Sequence, residues 1–207
     1  MSDVSDHTTP HGTSADHTTP DHTTPDHTTP DHTTPDHTTP DHTTPAAPRD
    51  ALVVVASTRA AAGVYRDTSG ALAVEWLRSR GFTTPDAVVV PDADIPRHLG
   101  DLLSRPDDLP RVLLTTGGTG PADDDLTVGA VRPHLDREFP GVMAEFWRRG
   151  AESVPTAVLS GGVAGTVGRT FVMTLPGSRG GVRDGIAVLD PLIDHLTALL
   201  EGRTAHD

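Results

Sequence analysis

From residue 51 onward, short unbroken apolar runs alternate with stretches whose apolar residues recur at helical spacing. ALVVVAS (51–57) is a continuous apolar run, the pattern of a strand buried on both faces of a parallel sheet. After a loop, Thr68 or Ser69 is placed to cap a helix running through Arg80, with Leu72, Trp76 and Leu77 near one face and Gly81 as its C-terminal stop. AVVVP (87–91) reads as a second strand and DIPRHLGDLLSR (94–105) as a helix with Leu99, Leu102 and Leu103 inward. RVLLTT (111–116) is a third strand. LTVGAVRPHLDRE (126–138) reads as a helix kinked at Pro133, and GVMAEFWRRGA (141–151) as another. TFVMTLPG (170–177) is a strand ending in a Pro-Gly turn, and the last helical stretch, 182–200, is expected to break at Pro191.

This alternation predicts an α/β domain of three layers, a largely parallel sheet flanked by helices. In such sheets ligands bind beyond the carboxyl ends of the strands. Ser57, Asp92, Thr116 and Pro176–Ser178 all lie just past predicted strand ends, so four segments distant in sequence are expected to face one crevice. The domain is read as residues 48–202, with a short tail at 203–207. That length suffices for one hydrophobic core.

The first 47 residues change the picture. DHTTP occurs six times in tandem between Asp16 and Pro45. A proline in every five residues interrupts both helix and sheet ladders, and little in the repeat is apolar, so a disordered tail is expected. Its regularly spaced histidines, His17 to His42, raise weak transition-metal binding, against which stands a plain solvated spacer.

The net charge is −13, and all 16 basic residues are Arg. Eight Asp fall in residues 1–45; the remainder carries 16 Arg against 21 Asp plus Glu, a net of −5. Such a balance lacks the basic face of a nucleic-acid binder. With no Cys there is neither disulfide, thiolate metal site nor cysteine nucleophile. No apolar run approaches the roughly 18 residues of a membrane span, and a cytoplasmic location is expected.

The candidate chemistry lies in LLTTGGTGPADDDLT (113–127). Thr116, Gly117, Gly118, Thr119 and Gly120 form a Gly-rich turn after a strand, able to aim backbone N–H groups at an anion. It matches neither a P-loop nor a dinucleotide fingerprint, and a plain tight turn is the competing reading. Asp123, Asp124 and Asp125 follow at once. Bare carboxylates repel phosphate, but Mg²⁺ binds carboxylates together with phosphate oxygens and reverses that sign. Asp125 has a second possible role as the N-cap of the following helix. Asp92, with Asp94 the better cap for the next helix, is left free to face the crevice. Asp92 and Asp125, from strand ends read as neighbours, form a candidate metal pair for phosphoryl-type transfer. His98, His134 and His195 show no paired ligand spacing.

ASTRAAAGVYRD (56–67), VVPD (89–92), TTGGTGPADDDLT (115–127), FPG (139–141), VPTAVLS (154–160) and TLPGS (174–178) occur in that order. Together they resemble the MogA/MoaB family of molybdenum-cofactor biosynthesis proteins, nearest to the Mog type of high-GC bacteria. The resemblance implies an α/β domain assembling as a homotrimer. It implies adenylylation of molybdopterin by Mg-ATP with release of pyrophosphate, and handover of the product to a molybdate-insertion enzyme. Asp92 and Asp125 match the family's essential acids, acting through Mg²⁺. Ser57, Thr116–Gly120, Thr127, Ser160, Pro176, Gly177 and Ser178 match its phosphate- and pterin-contacting positions.

Three features depart from the family pattern. Asp123 and Asp124 add charge where the family has Arg or neutral residues. Gly161 stands where the family has the Arg of a Leu-Ser-Arg segment, with Arg169, Arg179 and Arg183 as candidates to replace it. LPGSR replaces LPGSP. A catalytically weak binding paralogue therefore stands as an alternative, as does a nucleotide pyrophosphatase, because GPADDDLT also resembles a stretch of the CinA amino-terminal domain.

Overall fold

The computed structural model describes residues 49–202; the DHTTP repeats, their histidines and the 203–207 tail lie outside the described residues. The strands are β1 (Ala51–Ala56), β2 (Val88–Val90), β3 (Val112–Thr116), β4 (Arg137–Glu138), β5 (Ala164–Val167) and β6 (Thr170–Leu175). The helices are α1 (Thr58–Ala61), α2 (Ser69–Ser79), α3 (Ile95–Leu103), α4 (Thr127–Val131), α5 (Pro140–Ser153), α6 (Arg179–Leu189) and α7 (Ile193–Leu200). The six strands form one sheet in the order β2-β1-β3-β6-β5-β4. The pairs β1–β2, β1–β3 and β3–β6 are parallel, while β5 runs antiparallel to β6 and β4 antiparallel to β5.

Side chains on the sheet divide by the two-residue period of a strand. Val53, Val55, Leu114, Phe171 and Met173 join a core completed by α2, α5, α6 and α7. Val54, Ala56, Leu113 and Val172 join a second core with Ile95, Leu99 and Leu103 of α3 and Val131 of α4. Helices therefore cover both faces, as the alternation of apolar runs and amphipathic segments predicted. Every residue of β3 and of β6 is buried, which is why these strands carry only apolar residues and threonine. On the edge, Val88 and Val89 of β2 remain 37% exposed.

Local rules account for the helix ends. Thr68 occupies the N-cap position of α2 as expected but makes no side-chain cap bond, and Asp67 just before it supplies the acceptor. Its carboxylate accepts from Ser69 N at 3.1 Å, Gly70 N at 2.8 Å and Ser69 Oγ at 2.6 Å. At the other end Gly81 takes a φ of 82°. Gly81 N then donates to Arg78 O, and Phe82 N to Leu77 O, each at 3.0 Å. This is a Schellman stop, which favours glycine because the left-handed conformation crowds a Cβ. The break at Pro191 falls between α6 and α7, but α6 begins at Arg179, earlier than the expected Val182, because Ser178 Oγ caps Gly181 N at 3.0 Å.

Two expectations are corrected. The helix expected over 126–138 stops at Val131; a 3-10 turn with Pro133 at its centre follows, and Arg137–Glu138 form β4. Pro133 lacks the N–H a helix needs and its ring crowds the preceding turn. The glycine-rich 161–169 segment, for which no element was expected, contains β5. There Gly165 lets the chain pass close to Arg137, where a Cβ would come within 3.2 Å of the Arg137 carbonyl carbon.

Candidate active site

β3 and β6 are adjacent and parallel, so the segments leaving their carboxyl ends emerge side by side. Gly117 and Gly118 turn the chain with φ values of 90° and 63°. Gly117 N donates to Leu175 O at 2.9 Å, and Gly118 O accepts from Thr127 N at 3.0 Å. The Gly-rich turn is thus tied to β6 on one side and to α4 on the other. A Cβ added to Gly177 would stand 3.3 Å from Gly117 Cα, so the two turns meet backbone to backbone. That close approach explains why glycines occur in both.

Above these turns lies a cleft of about 730 Å³. One wall is the turn Gly118, Thr119, Gly120 and Pro121 with Asp125; a second is Pro176, Gly177 and Ser178 with the first turns of α6. The third is the end of α5 and the 3-10 segment after it, including Phe146, Gly150, Leu159 and Ser160. Ser160 Oγ donates to Thr119 Oγ1 at 3.1 Å, and Gly161 N to Thr119 O at 2.7 Å, which fasten the third wall to the first. A more apolar groove of about 830 Å³ lies between α5 and α7; the sheet contributes only Glu138 of the edge strand β4 to its lining, and the two glycine turns contribute nothing.

Asp125 lines the cleft without capping α4, whose N-cap is Leu126 with no side-chain bond. Its Oδ2 accepts from Ala122 N at 3.0 Å, folding the carboxylate back under Gly120. The Oδ1 atom takes part in no hydrogen bond among the described residues. Asp123 and Asp124 sit at the exposed tip of the same turn and do not line the cleft. Their charge projects to solvent.

Asp92, like Asp125, has one carboxylate oxygen engaged within the protein. Its Oδ2 accepts from Thr58 N at 2.8 Å and from Thr58 Oγ1 at 2.7 Å, so it stabilises the start of α1 from across the sheet end. Asp94 occupies the N-cap position of α3 but makes no side-chain cap bond. The strand ends carrying Asp92 and Asp125 are also not neighbours, because β1 lies between β2 and β3. Strands are spaced about 4.8 Å apart, which separates those ends by roughly 10 Å. No group of three or more His, Cys, Asp or Glu gathers for a metal among the described residues.

The other predicted site residues divide in the same way. Ser57 caps α1, accepting from Ala60 N at 3.2 Å, and its Oγ lies 2.9 Å from the Tyr65 hydroxyl. Thr116 and Thr127 are fully buried and shape the turn from beneath. Gly117 underlies the cleft. Gly118, Thr119, Gly120, Ser160, Pro176, Gly177 and Ser178 line it. What the sequence did not single out is the wall built by α5 and the first turns of α6; of its two charged residues, Arg183 was one of three candidate arginines and Asp184 was not foreseen. Gly150 was the available signal: a Cβ there would press on Ala157 at 2.9 Å, so the helix needs glycine where the 3-10 segment crosses it.

The sequence pattern of the probable molybdopterin-binding domain family matches residues 52–195, spanning all of these elements except the ends. The chain belongs to that family. Molybdopterin adenylyltransferase from Escherichia coli K12 is 36% identical over 138 residues, covering 64% of this chain and 69% of that protein. The molybdenum cofactor biosynthesis bifunctional protein of Chlorobaculum tepidum is 34% identical over 161 residues; the alignment covers 75% of this chain but only 49% of that relative. The chain thus spans about half the length of this longer relative. Among solved structures, the molybdopterin biosynthesis Mog protein of Mycobacterium ulcerans superposes with a TM-score of 0.68 at 37% identity, covering 76% of this chain and 99% of that one. The MogA/MoaB resemblance and the mostly parallel three-layer sheet are therefore both established. No described helix is long and apolar enough to cross a membrane.

Proposed function

We propose that the chain is a molybdopterin adenylyltransferase acting in molybdenum-cofactor biosynthesis, with ATP and molybdopterin as substrates. The observation that carries this reading is the convergence in one cleft of the Gly118–Gly120 turn, the Pro176–Ser178 turn and Asp125. In the reaction an oxygen of the pterin's terminal phosphate attacks the α-phosphorus of ATP. The new P–O bond forms as the bond from the α-phosphorus to the oxygen bridging it to the β-phosphorus breaks. Pyrophosphate leaves with that electron pair, and adenylylated molybdopterin remains.

The backbone of the Gly-rich turn suits a phosphate chain because no side chain obstructs its approach. Asp125 fits Mg²⁺, since it lines the cleft and one of its oxygens is uncommitted among the described residues. When bound there, the ion supplies charge neutralisation for the nucleotide phosphates. Ser178 and Ser160 offer hydroxyls toward the same volume, and the apolar Phe146 and Leu159 exclude water beside them. Asp92 serves by holding α1 at the neighbouring strand end.

The test is direct. The full chain, incubated with molybdopterin, ATP and Mg²⁺, should yield adenylylated pterin and pyrophosphate. Asp125→Ala should lose turnover by at least about a hundredfold, the scale of removing a group that stabilises transition-state charge. No product from the native chain, or undiminished product from Asp125→Ala, defeats the proposal. The surface position of Asp123 and Asp124 supports activity over a binding-only role, because their charge stays outside the cleft.

A further inference from the structure

We propose that Arg183 is the specificity-determining residue that holds the phosphate monoester of the pterin substrate. This rests on the adenylyl-transfer reading of the cleft. Among the described residues Arg183 is the one cationic side chain in the cleft lining, whose other charged members are Asp125 and Asp184. Of the three arginines that could supply a guanidinium, Arg169 and Arg179 are absent from that lining.

Arg183 is also uncommitted. It is exposed and forms no ion pair among the described residues, whereas Arg111, Arg132 and Arg148 each hold a glutamate. The adjacent Asp184 is directed toward α5, where a Cβ on Gly150 would lie 3.8 Å from its Oδ2. Neutralising Asp184 is therefore not the role of Arg183.

The chemistry calls for such a group. The reaction brings together two anions, a nucleotide and a phosphate monoester, in a cleft that carries two carboxylates. A carboxylate accommodates phosphate only through a cation, which places the nucleotide with Asp125. The monoester needs a counter-charge of its own, and α6 supplies it from a different wall. A guanidinium grips two phosphate oxygens in its planar fork. The third non-bridging oxygen remains free to attack the α-phosphorus, so the same contact that binds the nucleophile also orients it.

The experiment measures binding of molybdopterin, of its enzymatically dephosphorylated form and of Mg-ATP to the native chain, Arg183→Ala and Arg183→Lys. Arg183→Ala should weaken molybdopterin binding roughly ten- to hundredfold and leave the other two ligands within about twofold. Arg183→Lys, which keeps the charge and loses the fork, should fall between. KM for molybdopterin should rise in step with the dissociation constant. Circular dichroism and Mg-ATP affinity report that the variants fold. Unchanged molybdopterin affinity in Arg183→Ala overturns the assignment, as does an equal loss for the dephosphorylated pterin; both leave the adenylyl-transfer reading intact. No pterin binding by the native chain overturns that reading and this assignment with it.

Discussion

Replacing Gly117 by alanine tests whether the Gly-rich turn is built by close backbone packing. Gly117 has a φ of 90°, a conformation an L side chain disfavours by about 1–3 kcal/mol. Space is a second obstacle. The added Cβ would come within 3.0 Å of the Ala56 carbonyl oxygen and to 3.3 Å from its carbon, with no flexible side chain to yield. Forcing a methyl into such a site costs about another 1–3 kcal/mol. Restricting the unfolded chain returns only about 0.4–1 kcal/mol. A net loss of about 2–4 kcal/mol follows, and the Gly117 N to Leu175 O bond should lengthen as the turn shifts. Gly129 provides the contrast. It lies inside α4 with nothing within 4 Å of an added Cβ, so Gly129→Ala should stabilise by about 0.5–1 kcal/mol. Urea unfolding midpoints of the two variants and the native chain measure both effects, and Mg-ATP binding reports the turn. Gly117→Ala within about 0.5 kcal/mol of native, or destabilised no more than Gly129→Ala, refutes the reasoning.

Three further outcomes follow from individual contacts. Asp67→Ala removes the acceptor of two backbone N–H groups and one hydroxyl at the start of α2, and should lower stability by about 1–2 kcal/mol in denaturant titration. Asp92→Ala should cost about 1 kcal/mol through the start of α1, whereas Asp92→Asn keeps an acceptor for Thr58 and should recover most of it; turnover lost in Asp92→Asn at full stability would instead mark a need for the carboxylate charge. The Arg49 hydrogen bond at 2.5 Å, aided by Arg80, holds the Asp194 carboxyl below its usual range. A depressed pKa stabilises the fold above the unfolded value of about 3.9 and is lost as pH falls through the lower folded value. Because the Asp194 side chain is 53% exposed, solvent screening limits the effect to about 0.5–1 kcal/mol. The stability gap between native and Asp194→Asn, read at neutral pH and near pH 2.5, should shrink in acid; a constant gap contradicts the assignment.

Wherever burial on both faces forced continuous apolar composition, the strands could be read from sequence, as for β1, β3 and β6. The helices α2, α3 and α5 were visible from spacing, because one face of each must be apolar. β4 and β5 left no such trace. β4 is only two exposed charged residues and β5 only four small ones, Ala-Gly-Thr-Val, and both exist because neighbouring backbones offer them partners. Within the site, the two glycine turns and Asp125 were visible because a turn beside acids is a local pattern. Arg183 was only one of three candidates, since an isolated arginine on a helix carries no mark of what its side chain faces.

Composition and periodicity alone determined the layered α/β class, and the order of short motifs determined the family resemblance. Tertiary structure decided which of those motifs meet. It placed β1 between the strands that carry Asp92 and Asp125, turned Asp92 toward Thr58, and opened the cleft between the ends of β3 and β6. The physical reason is one of range. Strand and helix propensity act over a few residues, whereas a site depends on strand order, and strand order is settled by packing across the whole sheet.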